Sequence, residues 1–201
     1  MDNPLLTVGV IADTHIPDRV RFLHPQVIPL LQANRVDLIL HAGDISSPSV
    51  LDELGKVAPV NAVRGNRDWL FLNTLPLVLK LTLANVPVVL MHGHGGFTNY
   101  LKDKYLFIRD GYVFERYLKK LVKLVPEARV IIFGHTHRVE NVMIDGRLWF
   151  NPGSASLDYT EDNSPSIGIL RFFDRGEVKG EVLGLDGFRL QKGIWEAAGS
   201  S

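Results

Sequence analysis

Five short segments of this chain end apolar runs on side chains able to hold a metal ion. They are Asp13 with His15 in DTH, Asp44 in GD, Asn66 in GN, His92 in HGHG, and His135 with His137 in GHTH. Carboxylate, carboxamide and imidazole groups are oxygen and nitrogen donors, and that mixture suits divalent transition metals. So many imidazoles argue against a site built for magnesium alone, because Mg2+ prefers oxygen and keeps much of its water. The chain has no cysteine, so disulfides and thiolate metal sites are excluded. Taken singly, each segment has an ordinary explanation: DTH is a turn with a helix cap, GD is common, and GN is a left-handed turn. Paired histidines flanked by glycine are harder to explain as packing. Five of the seven histidines, His94 included, lie at or beside these stops.

Strands must deliver these groups to one place. The β-rich apolar runs LLTVGVIA (5–12), VDLILHAG (36–43) and PVNAVRG (59–65) read as buried strands. LPLVLKLTLANVPVVLMHGHGG reads as two strands ending at His92, and ARVIIFG (128–134) as another. Parallel strands present their C-terminal ends along one sheet edge, where open α/β sheets bind ligands. Gly43, Gly65, Gly93 and Gly134 adjoin four of the stops and let the backbone turn sharply beside a ligand.

Helices are expected over 25–34 and within SPSVLDELGKV, where Ser47 is placed to cap and Pro48 takes the first position. DGYVFERYLKKLVKLV (110–125) has the best helical pattern, its basic RYLKKLVK stretch being a solvated face. VENVMIDGRLWFNPGS, with its Asp-Gly turn, and SIGILRFFDRGEVKGEVLGL read as hairpins. Residues 97–110 fit no period and read as a loop or lid. The β-α-β-α-β start predicts a mostly parallel sheet, and the later hairpins predict antiparallel strands. The expectation is one α/β domain over 1–201, with the tail fraying from about 195.

Composition narrows the function. Basic and acidic residues balance at 22 each, so no extended nucleic-acid footprint is expected. No apolar run reaches membrane-spanning length, and the opening MDNPLLTVGVIADTH does not read as a signal peptide. A cytoplasmic setting fits the lack of cysteine. His24, before Pro25, reads as a surface residue. His41, inside a strand, reads as a satisfied core histidine that could orient a ligand.

The ordered set DTH, GD, GNRD, HGH and GHTH resembles the calcineurin-like metallophosphoesterase superfamily, and the short length and NPGS resemble its small prokaryotic phosphodiesterase branch. The resemblance runs from Val8 to Ser154. It implies a four-layer αββα sandwich of two mixed β-sheets flanked by helices. It also implies a two-metal site in which Asp13, His15 and His137 hold one ion, Asn66, His92 and His135 hold the other, and Asp44 bridges them. Manganese is the first expectation, with nickel, iron, cobalt or zinc as alternatives. The implied reaction is hydrolysis of small phosphate diesters by a metal-bridging hydroxide.

A phosphomonoesterase, a nucleotide phosphatase and a nuclease of the same superfamily are the enzymatic alternatives. A protein-interaction scaffold, as in the retromer subunit with this fold, is the non-enzymatic one. The competent side chains at all seven ligand positions weigh against it.

One position departs from the pattern. Many phosphatases of the superfamily have histidine after the GN asparagine; here it is Arg67. Guanidinium does not release its proton near neutral pH but binds phosphate in a bidentate manner. Arg67 is therefore expected to clamp phosphate, or else to pair with Asp68 or another acid at the surface. Proton donation then falls to His94 or water. The NPGS segment (151–154) is expected to support the site floor. Phe97, Tyr100 and Tyr105 could stack on a base, although packing is the simpler reading. A homodimer is the base-rate expectation for assembly.

Overall fold

The computed structural model describes residues 3–70, 72–93, 113, 118, 125–156 and 164–198. In chain order its elements are β1 (Leu6–Ile11), α1 (Val27–Ala33), β2 (Leu38–His41), α2 (Pro48–Leu54), β3 (Val60–Ala62), β4 (Val78–Leu83) and β5 (Val86–Met91). They continue with β6 (Val130–Ile132), β7 (Val139–Ile144), β8 (Arg147–Pro152), β9 (Ser166–Phe172), β10 (Val178–Gly184), β11 (Phe188–Gln191) and β12 (Ile194–Ala197).

Two five-stranded sheets form, in the orders β10-β9-β1-β2-β3 and β4-β5-β6-β8-β7. Each is mixed. β1, β2 and β3 are parallel, with Val8 opposite Leu38 and Ile39 opposite Val60. β9 runs antiparallel to β1, pairing Val8 with Leu170. In the second sheet β5, β6 and β8 are parallel, with Val88 opposite Val130 and Val130 opposite Leu148. The expected α/β sandwich of two mixed sheets is therefore present.

Three apolar clusters explain the layering. Val8, Val10, Leu40, Leu90, Ile132 and Phe150 come from both sheets and pack between them. On the far side of the first sheet, Ile11 and Ile39 meet Val27 and Leu31 of α1 and Val50 and Leu54 of α2. Successive strand residues face opposite ways, so β1 must be apolar on both faces, which is why Val8–Ile11 carries no polar residue. Gly9 in β1 has no side chain because a Cβ there would stand 2.5 Å from Leu31 Cδ2; its absence lets α1 sit close to the sheet. Outside the second sheet, Ile131, Phe133 and Trp149 form a third cluster with helical Leu118 against it. The rest of the helix expected over 110–125, apart from Val113 and Val125, lies outside the described residues, as do 97–110.

Local signals held where chemistry was specific. Ser47 caps α2 by accepting from Ser49 N at 3.3 Å, and Pro48 opens the helix. Asp145 and Gly146 take φ of 50° and 73° in the β7–β8 turn. Ala84 and Asn85 do the same in the β4–β5 turn, at 44° and 64°. Both fit the twist that tight hairpins need.

Two expectations fail together at the C-terminus. Instead of fraying from about 195, the chain pairs β11 with β12 up to Ala197, and Trp195 Nε1 donates to Phe22 O at 3.1 Å. That hairpin covers His24, whose ring lies 4.5 Å from Trp195 and 5.3 Å from Phe188. His24 is thus buried rather than at the surface. Its covering residues are far away in sequence, so local context could not reveal them. Among the described residues no helix is long and apolar enough to cross a membrane.

Candidate metal centre

The stops of β1, β2 and β3 lie on one edge of the first sheet, and those of β5 and β6 on one edge of the second. Face-to-face packing brings the two edges together. The turns there are strained: Asp13, His15, Asp44, His135 and His137 have φ of 55°, 50°, 54°, 71° and 57°. A non-glycine residue in this left-handed region costs about 1–2 kcal/mol, and such residues cluster at functional sites.

Hydrogen bonds between loops hold the strained turns. Asp13 N donates to Gly43 O and His15 N to Asp44 O, each at 3.0 Å. The hydroxyls of Ser154 and Ser156 both donate to Asp13 O, at 3.0 and 2.8 Å. Asn151 Nδ2 donates to Gly134 O at 3.2 Å and to Thr136 Oγ1 at 3.0 Å. Residues 151–154 therefore brace the site from beneath; Ser156 and Thr136 join them without having been marked by the sequence.

The seven expected donors form two adjoining groups. In the first, His15 Nε2 and His137 Nε2 are 3.2 Å apart, and Asp13 Oδ1 lies 3.4 Å from His137 Nε2 and 3.8 Å from His15 Nε2. In the second, Asn66 Oδ1 lies 3.0 Å from both His92 Nε2 and His135 Nδ1. Asp44 reaches both: Oδ1 is 3.4 Å from His92 Nε2, and Oδ2 is 3.9 Å from His15 Nδ1. The ligand atoms of Asp13, His15 and His137 lie within 4.8 Å of one another, as do those of Asp13, Asp44 and His92.

These donors fit cations. His92 Nδ1 faces Ala42 O at 2.8 Å, and a carbonyl only accepts, so the proton is on Nδ1. That leaves Nε2 facing the carboxamide oxygen of Asn66 at 3.0 Å, two ligand atoms aimed at one position. Asp13 Oδ2 accepts from His135 N at 3.0 Å, whereas Asp13 Oδ1 and His15 Nδ1 are buried with no hydrogen-bond partner. Leaving buried polar atoms unsatisfied costs about 1–3 kcal/mol each, which coordination would relieve.

The electrostatics agree. Burial pushes the His15 imidazole from 6.5 down to about 2, against the pull of Asp13, so the ring is neutral and able to ligate. Burial alone would raise the Asp13 carboxyl, but His137, His92 and His15 together hold it well below the usual carboxylate range. Burial raises Asp44 to about 6, with His92 opposing and Asp13 reinforcing. A carboxylate kept anionic at the cost of desolvation suits a nearby dication.

The surrounding residues sort themselves clearly. His41 is a satisfied core histidine: its Nε2 meets Thr14 Oγ1 and its Nδ1 accepts from Gly43 N, both at 3.2 Å. Burial pushes it to about 4. Arg67 pairs through Nη1 with Asp18 at 3.2 Å, not with Asp68, and both partners are partly exposed. Asp68 is buried instead, accepting from Ile45 N at 2.9 Å and from Ser46 N and Gly65 N at 2.7 Å. It was legible as the last letter of GNRD, but its three backbone partners were not. His94, Phe97, Tyr100 and Tyr105 lie outside the described residues.

Comparison with known proteins identifies the family and the fold. The family described as the calcineurin-like phosphoesterase superfamily domain matches residues 6–174. A probable metallophosphoesterase of Methanothermobacter thermautotrophicus is 33% identical over 181 residues, covering 89% of this chain and 92% of that protein. Vacuolar Protein Sorting 29 from Cryptosporidium parvum superposes with a TM-score of 0.70 at 22% identity, covering 96% of this chain and 95% of its own. The Vps29 of Entamoeba histolytica complexed with Zn2+ gives 0.66 at 25% identity, covering 90% of this chain and 100% of its own.

Proposed function

Because the chain belongs to the calcineurin-like phosphoesterase superfamily, we propose that it is a two-metal hydrolase of small phosphate diesters. The observation carrying this reading is the meeting of seven donor side chains where the edges of the two sheets adjoin, with Asp13 Oδ1 and His15 Nδ1 buried and without a hydrogen-bond partner. Asp13, His15 and His137 would hold one cation, Asn66, His92 and His135 the other, and Asp44 both. When bound, two dications neutralise charge on the phosphoryl oxygens and acidify a water. Manganese heads the candidates, followed by nickel, iron, cobalt and zinc, because all accept mixed nitrogen and oxygen ligation.

The chain's own residues do the rest. Asp44 accepts Arg67 N at 2.8 Å, so the turn carrying Asn66 and Arg67 stays registered on the carboxylate. The Arg67 guanidinium stands beside the cluster and donates to a non-bridging phosphate oxygen. It keeps its own proton, so the leaving oxygen takes one from His94 or from water. A His94→Ala variant retaining full activity on a poor leaving group would remove His94 from that role.

The likeness to Vps29 supports a second reading, a protein-assembly surface on the same fold. A metal-by-substrate matrix separates the two. Chelated protein is reloaded with each metal and given an aryl diester, the matching monoester and cyclic nucleotides, with metal binding followed by calorimetry. The hydrolase reading expects diester turnover dependent on two equivalents of metal. Tight metal binding without turnover on any substrate would favour the assembly reading.

A further inference from the structure

The turn after Asn66 is held too firmly, and left too exposed, to serve the metal site alone. Asp68 pins it through three backbone N–H groups, and Arg67 N adds a bond to Asp44. Residues 66–70 wind as a turn, and Leu72 N continues it by donating to Asp68 O at 3.0 Å. In such a winding, residues three or four apart share a face. Asp68 and Leu72 are buried on the inner face. Asn66, Trp69 and Leu70 share another, and Asn66 looks into the donor cluster. Yet Trp69 is 69% exposed and Leu70 57%, on backbone that has little freedom. Arg67 follows Asn66 directly, its guanidinium paired with Asp18. An exposed indole three residues after a donor-cluster asparagine and two after a guanidinium offers a stacking surface on the same turn as a phosphate clamp.

We infer that Trp69 determines specificity in the proposed reaction, stacking on a nucleoside base carried by the non-leaving arm of the diester. The phosphate lies between Arg67 and the donor cluster, and Leu70 extends the apolar surface. The substrate class is nucleoside phosphodiesters. The inference rests on the hydrolase reading above, and its test keeps the two apart.

Metal-loaded protein is titrated with thymidine 5′-monophosphate and, separately, with inorganic phosphate. Wild type is expected to prefer the nucleotide. Trp69→Ala is expected to weaken nucleotide binding roughly tenfold and leave phosphate binding unchanged, with Trp69→Phe in between. Turnover is then compared on the p-nitrophenyl ester of thymidine 5′-monophosphate and on methyl p-nitrophenyl phosphate, which share a leaving group. Trp69→Ala should raise KM for the first alone, with kcat unchanged. Equal binding of nucleotide and phosphate by wild type, no binding of either, or full nucleotide preference in Trp69→Ala would overturn the inference. Nucleotide preference lost in Trp69→Ala, with neither ester hydrolysed by wild type, would uphold Trp69 as a base platform and overturn only the hydrolase reading.

Discussion

Gly65 offers a sharp test, because the space its side chain would fill belongs to Asp44. A Cβ at Gly65 would overlap Asp44 N and Oδ1 and stand 2.9 Å from Asp44 Cα. Two of these are backbone atoms, so no rotamer change removes the clash. Asp44 or the Asn66 turn must move by about 1 Å, a displacement that can cost about a hundredfold in rate. The corresponding loss of fold stability is about 1–3 kcal/mol, as for overpacked cores.

Gly146→Ala is the control. A Cβ there meets nothing within 4 Å, but φ is +73°, so the cost is left-handed strain of about 1–2 kcal/mol, remote from the centre. Calorimetric titration of each apo variant with Mn2+ and Zn2+, beside urea unfolding, separates the effects. Both variants should lose comparable stability. Only Gly65→Ala should lose tight binding at the position shared by Asp44, with turnover falling about a hundredfold. Wild-type metal stoichiometry and affinity in Gly65→Ala would refute the placement of Asp44 between the two groups.

Three further outcomes are expected. Asp68→Ala strands three buried N–H donors and should cost about 3 kcal/mol or more in urea unfolding, with Asp68→Asn costing less; a near-neutral Asp68→Ala would count against its role as the turn's anchor. Burial depresses His24 from 6.5 to about 4 despite Asp186, so the unfolded chain takes up that proton first. Its contribution is complete above pH 6.5 and is lost as pH falls toward 4, and His24→Gln should reduce the fall in urea midpoint across that window, His15 and His41 supplying the remainder. Finally, metal at a hundred times its dissociation constant should stabilise the fold by about 2.7 kcal/mol per site, reversed by chelation and read as a shift in unfolding midpoint.

Much of this molecule could be read along the chain. Buried parallel strands are recognisable because both faces are covered, which leaves near-continuous apolar runs such as Val8 to Ala12. Ser47-Pro48 and Asp145-Gly146 encode their local geometry directly, since cap and turn depend on neighbouring atoms. Glycine beside histidine at the end of an apolar run marked the candidate ligands for the same local reason.

What the chain alone left open depended on residues distant in sequence. His24 reads as exposed until the β11–β12 hairpin lays Phe188 and Trp195 on it. Arg67 had several acids to choose from, and packing put Asp18 beside it while burying Asp68 under the turn. The closeness of His15 to His137, 122 residues apart, exists only because two sheets stack with their strand ends aligned. Donor types are a property of the sequence, but the distances between them are set by sheet packing, and metal binding needs both.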